Sequence, residues 1–163
     1  MGYQHNSDSN YFISNCCASN CGSYAFNVQG WYEAENKLED SVGDIETWIR
    51  EMAADYTDDE ITDIYTDVLI DQILYDFDGE IRMVESELSP VASNEELIAF
   101  RTYCLYDEEW DWVGWDFHFK VFRDGCWKEK CGTNPIRTCT LNEWVNGENV
   151  YTSKTHFFAH KTS

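Results

Sequence analysis

Apolar positions recur along the chain first with a helical and then with a strand period. Cys21, Tyr24, Ala25 and Val28 fall at helical spacing, which predicts a helix from near Asn20, a favourable N-cap residue type. The small residues Gly22, Ser23 and Ala25 let that helix pack closely on a neighbour. Within 44–56, Ile45, Trp48, Ile49 and Met52 mark one face of a second helix. The clearest helix follows Thr57, which with Glu60 makes a capping-box pattern. Ile61, Ile64, Tyr65, Val68 and Leu69 supply its expected buried stripe to about Tyr75, ahead of the turn-forming Asp78-Gly79. Past Pro90 the texture changes. Residues 96–106 and 116–123 are rich in β-branched and aromatic side chains and read as strands. Asp124-Gly125 reads as a hairpin turn, 126–130 as the returning strand, and a last strand is expected within 150–159. Residues 1–14 are polar with scattered aromatics and read as an arm. Helices first and strands later is the order of an α+β domain. The expected plan is a single domain over 1–163, with an acidic, mainly helical segment over 33–96 and antiparallel strands over 97–159.

Composition adds constraints. A chain of 163 residues and 19.1 kDa suits one domain with a real core, and 43% hydrophobic with 16% aromatic content excludes a wholly disordered chain. No apolar run is long enough to span a bilayer, and the first twenty residues lack the basic-then-apolar layout of a signal peptide. A cytoplasmic protein without a membrane partner is therefore expected. Acidic residues number 31 against 11 basic ones, a net charge of −20, which argues against direct binding of nucleic acid. Between Glu33 and Glu96 stand 21 acidic and 3 basic residues, so one central segment carries nearly all the imbalance. That segment reads as a solvated helical surface, as a docking face for a basic partner protein, or as a mimic of nucleic-acid phosphates. The seven cysteines are an odd number in a chain without an export signal, so free thiols are expected rather than a disulfide framework.

Three residues form a candidate site. Cys21 stands at the start of a predicted helix, where unsatisfied N–H groups and the positive dipole end favour a thiolate. His118, in the middle of Asp116-Phe-His-Phe119, alternates with Phe117 and Phe119 and so faces away from them across the sheet. A two-residue turn at Asp124-Gly125 places Arg123 opposite Cys126 and residue 119 opposite 130, which brings His118 near Glu129 or its neighbour. A carboxylate there fixes the ring's tautomer and orientation, the third role in a thiol triad. Taken singly, each residue also has an ordinary reading, as a core cysteine, a structural histidine and a polar hairpin residue.

Other patterns are weaker. Residues 74–85 overlay five positions of a calcium loop, but Leu74 occupies the first ligand position. Cys126, Cys131 and Cys139, or Cys16, Cys17 and Cys21, lack the paired C-x-x-C spacing of a zinc site. No cofactor and no metal is expected. Trp110 to Trp115 reads as one wall of a cleft or, more simply, as an exposed loop packed on itself.

The run Asn20-Cys-Gly-Ser-Tyr-Ala-Phe-Asn27 resembles the N-C-x-x-Y-A-[LF] helix start of papain-like bacterial and phage thiol hydrolases related to the NlpC group. Asp116-Phe-His-Phe119, followed by Asp124-Gly-Cys-Trp127, Lys130 and Gly132, resembles the D-[YF]-H-[FWY] … D-G-x-W-x-x-K-x-G stretch of the same proteins. The similarity touches the chain from about Asn20 to Phe158 and is specific at the two motifs. It implies a papain-like fold in which a nucleophile helix and the acidic helical segment pack on a C-terminal antiparallel sheet, with Cys21 as nucleophile, His118 as base and a peptide or amide as substrate. Glu129 stands where many relatives have a second histidine, and Cys131 where a proline is common. No glutamine precedes Cys21 at papain's oxyanion-hole position, so Asn15, Asn20 or the Cys21 backbone N–H is expected to serve. Tyr24, Trp115 and Trp127 are the candidate cleft residues.

Overall fold

In the computed structural model, which describes residues 3–34, 38–144 and 150–162, helices fill the first half of the chain and strands the second. The helices are α1 (Tyr11–Ser14), a 3-10 turn (Cys16–Ala18), α2 (Cys21–Phe26), α3 (Leu38–Val42), α4 (Ile45–Ala53) and α5 (Asp58–Asp76). The strands are β1 (Ile81–Val84), β2 (Glu95–Tyr106), β3 (Trp112–Arg123), β4 (Cys126–Lys130), β5 (Ile136–Thr138), β6 (Val150–Thr152) and β7 (His156–Lys161). Every strand pairing among the described residues is antiparallel, and the protein is α+β.

Helix α5 starts as its capping box dictates. The Glu60 carboxylate accepts from the Thr57 N–H at 2.9 Å, while Thr57 Oγ1 accepts from the Glu60 N–H at 3.3 Å. The buried face is Ile61, Thr62, Tyr65, Thr66, Leu69, Ile70 and Ile73, rotated from the expected stripe so that Ile64 and Val68 are only half-buried. On this face the hydroxyls of Thr66 and Thr102 on β2 share a 2.6 Å hydrogen bond, so the buried threonines are satisfied against the sheet. Asp59, Asp63, Asp67 and Asp71 repeat every fourth residue along the exposed side. Asp76, in the calcium-like stretch, is buried and accepts from Tyr32 Oη at 2.9 Å and Gln72 Nε2 at 2.8 Å.

Among the described residues the strands form one seven-stranded sheet in the order β1-β7-β2-β3-β4-β5, with β6 pairing the far end of β2. The turn at Asp124 (φ 55°) and Gly125 (φ 81°) has both central residues left-handed, as a two-residue hairpin requires, and sets Arg123 opposite Cys126. The short edge strands β1 and β5 were not anticipated. One face of the sheet carries the main core, where Phe26 of α2 stacks on Phe77 at 4.2 Å and Phe100 on Phe119 at 4.6 Å. On the other face Leu97, Ala99, Tyr103, Trp144 and Phe157 make a smaller cluster.

Two further expectations change. Helix α2 has only six residues, because Asn27 turns left-handed (φ 53°) and leaves Val28 outside it. Residues 112–115 belong to β3 instead of a loop, and Trp115 stacks on Tyr65 at 3.6 Å. The first residues lie against the fold as an edge-lying arm: Phe12 is buried, Tyr3 stacks on Phe77 at 5.4 Å, and His5 bridges to Val28. No helix among the described residues is long and apolar enough to cross a membrane.

Candidate active site

The start of α2 is held by polar groups that leave little freedom. Asn20 is buried, and its Oδ1 accepts from the N–H groups of Ser23 (3.0 Å) and Tyr32 (3.1 Å) while Nδ2 donates to the Tyr32 carbonyl at 2.7 Å. Ser23 Oγ returns the cap by accepting from the Asn20 N–H at 2.9 Å. Gly22 is required by close approach: a Cβ there would lie 2.8 Å from Tyr32 Cδ2 and 2.9 Å from the Tyr32 carbonyl oxygen. Two cations of the sheet then clamp the segment. Lys130 of β4, fully buried, donates through Nζ to the carbonyls of Cys16, Ser19 (2.6 Å) and Gly132 (2.5 Å), ahead of the helix. Arg123 donates to the carbonyls of Tyr24 (3.1 Å) and Ala25 (3.3 Å) at its far end, where a cation suits the helix dipole. Arg123 is fixed by Glu96 at 2.6 Å and lies 4.7 Å over the Tyr24 ring.

This clamp sets Cys21, the first residue of α2, against β3 and β4. The register of β3 on β4 ends at Val121↔Lys128. Past that point the two strands no longer pair, and His118 and Glu129 meet side by side. His118 Nε2–H donates to Glu129 Oε1 at 2.8 Å, and Glu129 Oε2 accepts from Arg137 Nε at 2.7 Å. Lys120 Nζ stands 4.0 Å from Glu129 Oε1 while donating to the Thr140 carbonyl (2.7 Å) and the Glu143 carbonyl (2.5 Å). Trp144 covers this group, with its ring 6.0 Å from His118 and 4.4 Å from Lys120 Nζ.

Charge in this group is stabilised mutually. Burial disfavours the imidazolium, yet hydrogen bonds from His118 to Cys131, Cys21 and Glu129 outweigh it and hold the ring well above its ordinary pKa. Burial likewise opposes the Glu129 carboxylate, but His118 and then Arg137 and Lys120 hold it well below the carboxylate range. Cys131 is drawn downward by its hydrogen bond to His118 against burial. With Nε2 engaged by Glu129, Nδ1 is the ring nitrogen left for a thiol, the tautomer a general base needs.

Cys21, His118 and Glu129 line one cavity of about 480 Å³, together with Asn20, Trp31, Tyr103, Phe117, Cys131, Trp144 and the charged Glu33, Asp116, Arg137 and Glu143. Burial raises the Asp116 carboxyl, against a lowering hydrogen bond from the Phe117 N–H and the His118 charge. The arrangement can take a proton from a thiol, hold the resulting imidazolium and admit an acyl group beside it.

The other expected site residues fall elsewhere. Asn15 donates its amide to the Tyr11 carbonyl at 3.1 Å, ends α1, and does not line the cavity. Asn20 lines it, though its side-chain amide is fully engaged by Tyr32 and Ser23. Tyr24 lies under Arg123, Trp115 is stacked on α5, and Trp127 packs on Phe122 at 5.6 Å. The aromatic walls are Trp31, Tyr103, Phe117 and Trp144, which come from four separate segments. Cys131, weighed in the sequence as a zinc ligand and as the residue in a common proline position, would stand opposite His118 if the hairpin register ran three pairs beyond Val121↔Lys128. All seven thiols are free, those of Cys21 and Cys104 being buried. Comparison with models of known families, with curated proteins and with solved structures finds no match to this chain.

Proposed function

We propose that this chain is a cysteine-dependent hydrolase of papain-like organisation, cleaving an amide bond through a thioacyl intermediate. The supporting observation is the carboxylate-bound imidazole of His118 lining one cavity with the Cys21 thiol, which helps raise the ring's pKa. In the resting pair the Cys21 proton already rests on His118, and the thiolate attacks the carbonyl carbon. The imidazolium returns the proton to the leaving amine, and water activated by His118 then releases the acid and regenerates the thiol. Glu129 orients the ring and carries the counter-charge. The chemistry needs no cofactor, and free thiols suit a cytoplasmic setting.

The test is the alkylation rate of each cysteine, followed by mass spectrometry from about pH 5 to about pH 9, in the wild type and His118→Ala. Cys21 is expected to react faster than the other six thiols at the acid end, with a nearly flat profile, because His118 stays protonated across this range. In His118→Ala that advantage disappears and the rate climbs with pH. A Cys21 no faster than the rest in the wild type would sink the proposal.

A second reading rests on the exposed ladder Asp59, Asp63, Asp67 and Asp71. It presents a face for a basic protein partner, as a nucleic-acid mimic would. Salt-sensitive binding of a basic protein, retained in Cys21→Ala and lost when these aspartates become asparagines, supports that reading; salt-independent binding counts against it.

A further inference from the structure

His118, Glu129 and Cys131 place a ring nitrogen, a carboxylate oxygen and a sulfur within 4.8 Å of one another, in a pocket where Glu129 is buried and the other two are half-buried. Nitrogen and sulfur with one oxygen is the donor set of a zinc-type ion, not of calcium or magnesium, which take oxygen alone. Cys21 does not belong to this group: it approaches the same ring but is absent from the cluster of mutually close donor atoms. The neighbouring cations leave Oε1 of Glu129 turned toward His118. Arg137 occupies Oε2, and Lys120, which donates to the carbonyls of Thr140 and Glu143, stands 4.0 Å from Oε1, so a bound ion competes with both the ring proton and this ammonium. The three donors line the cavity, so a fourth position opens toward solvent or substrate.

We infer that His118, Glu129 and Cys131 form a binding site for a borderline-soft divalent cation such as Zn2+, with three protein ligands and one open position. Binding displaces the proton shared by His118 Nε2 and Glu129 Oε1 and the proton of the Cys131 thiol. The cation's two positive charges then balance the carboxylate and the thiolate. The ion takes the orienting end of His118 and breaks its hydrogen bond to Glu129. On the reading of the preceding section, it would therefore suspend the thiol chemistry without touching the nucleophile.

The site is tested on the whole chain by titrating Zn2+ in competition with a chromophoric chelator. The wild type is expected to bind one tightly held equivalent with release of protons. Cys131→Ser should weaken binding by more than the roughly 10–100-fold that follows loss of an outer hydrogen-bond partner, while Cys21→Ser leaves it unchanged. In the unmutated protein, Zn2+ should also shield Cys131 from iodoacetamide, which reads the site without relying on a variant's folding. Failure of the wild type to compete for Zn2+, unchanged affinity in Cys131→Ser, or an equal loss in Cys21→Ser would overturn the inference. None of these outcomes bears on whether Cys21 is an acyl-transfer nucleophile, which the alkylation profile in metal-free buffer decides separately.

Discussion

His118 on β3 and His160 on β7 are both withdrawn from water, yet their surroundings oppose one another. Around His118 stand Glu129, two thiols and a pair of cations that fix the carboxylate, and the ring is driven toward its charged form. His160 is packed edge-on to Phe26 at 5.1 Å and Phe77 at 5.3 Å, with His5 at 6.0 Å, and its Nε2 has no hydrogen-bond partner among the described residues. Burial first, then the nearby charges of His5 and Arg123, push His160 down to about 4 against the opposing Glu80. Burial alone makes a histidine a neutral core aromatic. Hydrogen-bonding partners, the Cys131 and Cys21 thiols together with the buried Glu129 carboxylate, are what turn the same side chain into a base that can hold a proton.

The widest separation between the two sites should appear in chemistry. His118→Ala is expected to lower the rate of acyl transfer from an activated ester to Cys21 by about 10²–10⁴-fold, the usual worth of a positioned general base. His160→Phe should leave that rate nearly unchanged. Stopped-flow acylation of the two variants measures both, and equal losses would mean that His118 contributes only packing.

Stability separates the two rings in the opposite sense of pH. The folded pKa of His160 lies below its unfolded value, so its contribution is present above about 6.5 and is lost as pH falls toward about 4, amounting to roughly 3 kcal/mol. For His118 the folded value is raised, so its contribution is full below about 6.5 and fades as pH rises through the raised value. Denaturant unfolding at mildly acid and neutral pH should therefore show His160→Phe flattening the acid loss and His118→Phe steepening it. A change of the same sign in both variants would refute the contrast.

Gly22→Ala sharpens the comparison from the side of the nucleophile. The added methyl meets a backbone carbonyl as well as the Tyr32 ring, so it cannot be relieved by a side-chain rotation alone. A loss of about 1–3 kcal/mol is expected, with the acid slope due to His160 intact. Thermal unfolding near neutral pH checks it, and a neutral substitution would show that α2 shifts freely on Tyr32.

Much of this arrangement is legible in the chain because it rests on local rules. Thr57 and Glu60 announce α5, Asn20 announces α2, and Asp124-Gly125 fixes a register that brings His118 near Glu129 or its neighbour. What local patterning misses is decided by distant partners. The buried face of α5 includes Thr66, whose partner Thr102 lies 36 residues away. β5 has three residues and β1 four, too few to display alternation, and both lie on sheet edges where exposure blurs it. Tyr24, Trp115 and Trp127 are reasonable aromatic walls by position in sequence. Arg123, Tyr65 and Phe122 claim them, and Trp31 and Trp144 take their place at the cavity.

The smallest effect should come from the outermost member of the charged group. Arg137 is two-thirds exposed, whereas Glu129 is almost fully buried, so the ion pair between them has one foot in water. Glu129 also has His118 at 2.8 Å and Lys120 at 4.0 Å, so removing Arg137 leaves the carboxylate compensated. Arg137→Ala should therefore slow acylation of Cys21 by no more than about fivefold, and the residual loss should shrink as salt is added. Glu129→Gln removes the counter-charge from the ring itself and should cost far more, with a Cys21 alkylation profile that becomes pH-dependent. If Arg137→Ala instead matches Glu129→Gln, the exposed guanidinium, and not the buried carboxylate, sets the state of His118. The difference from His160 would then lie in a surface charge instead of in the core of the site.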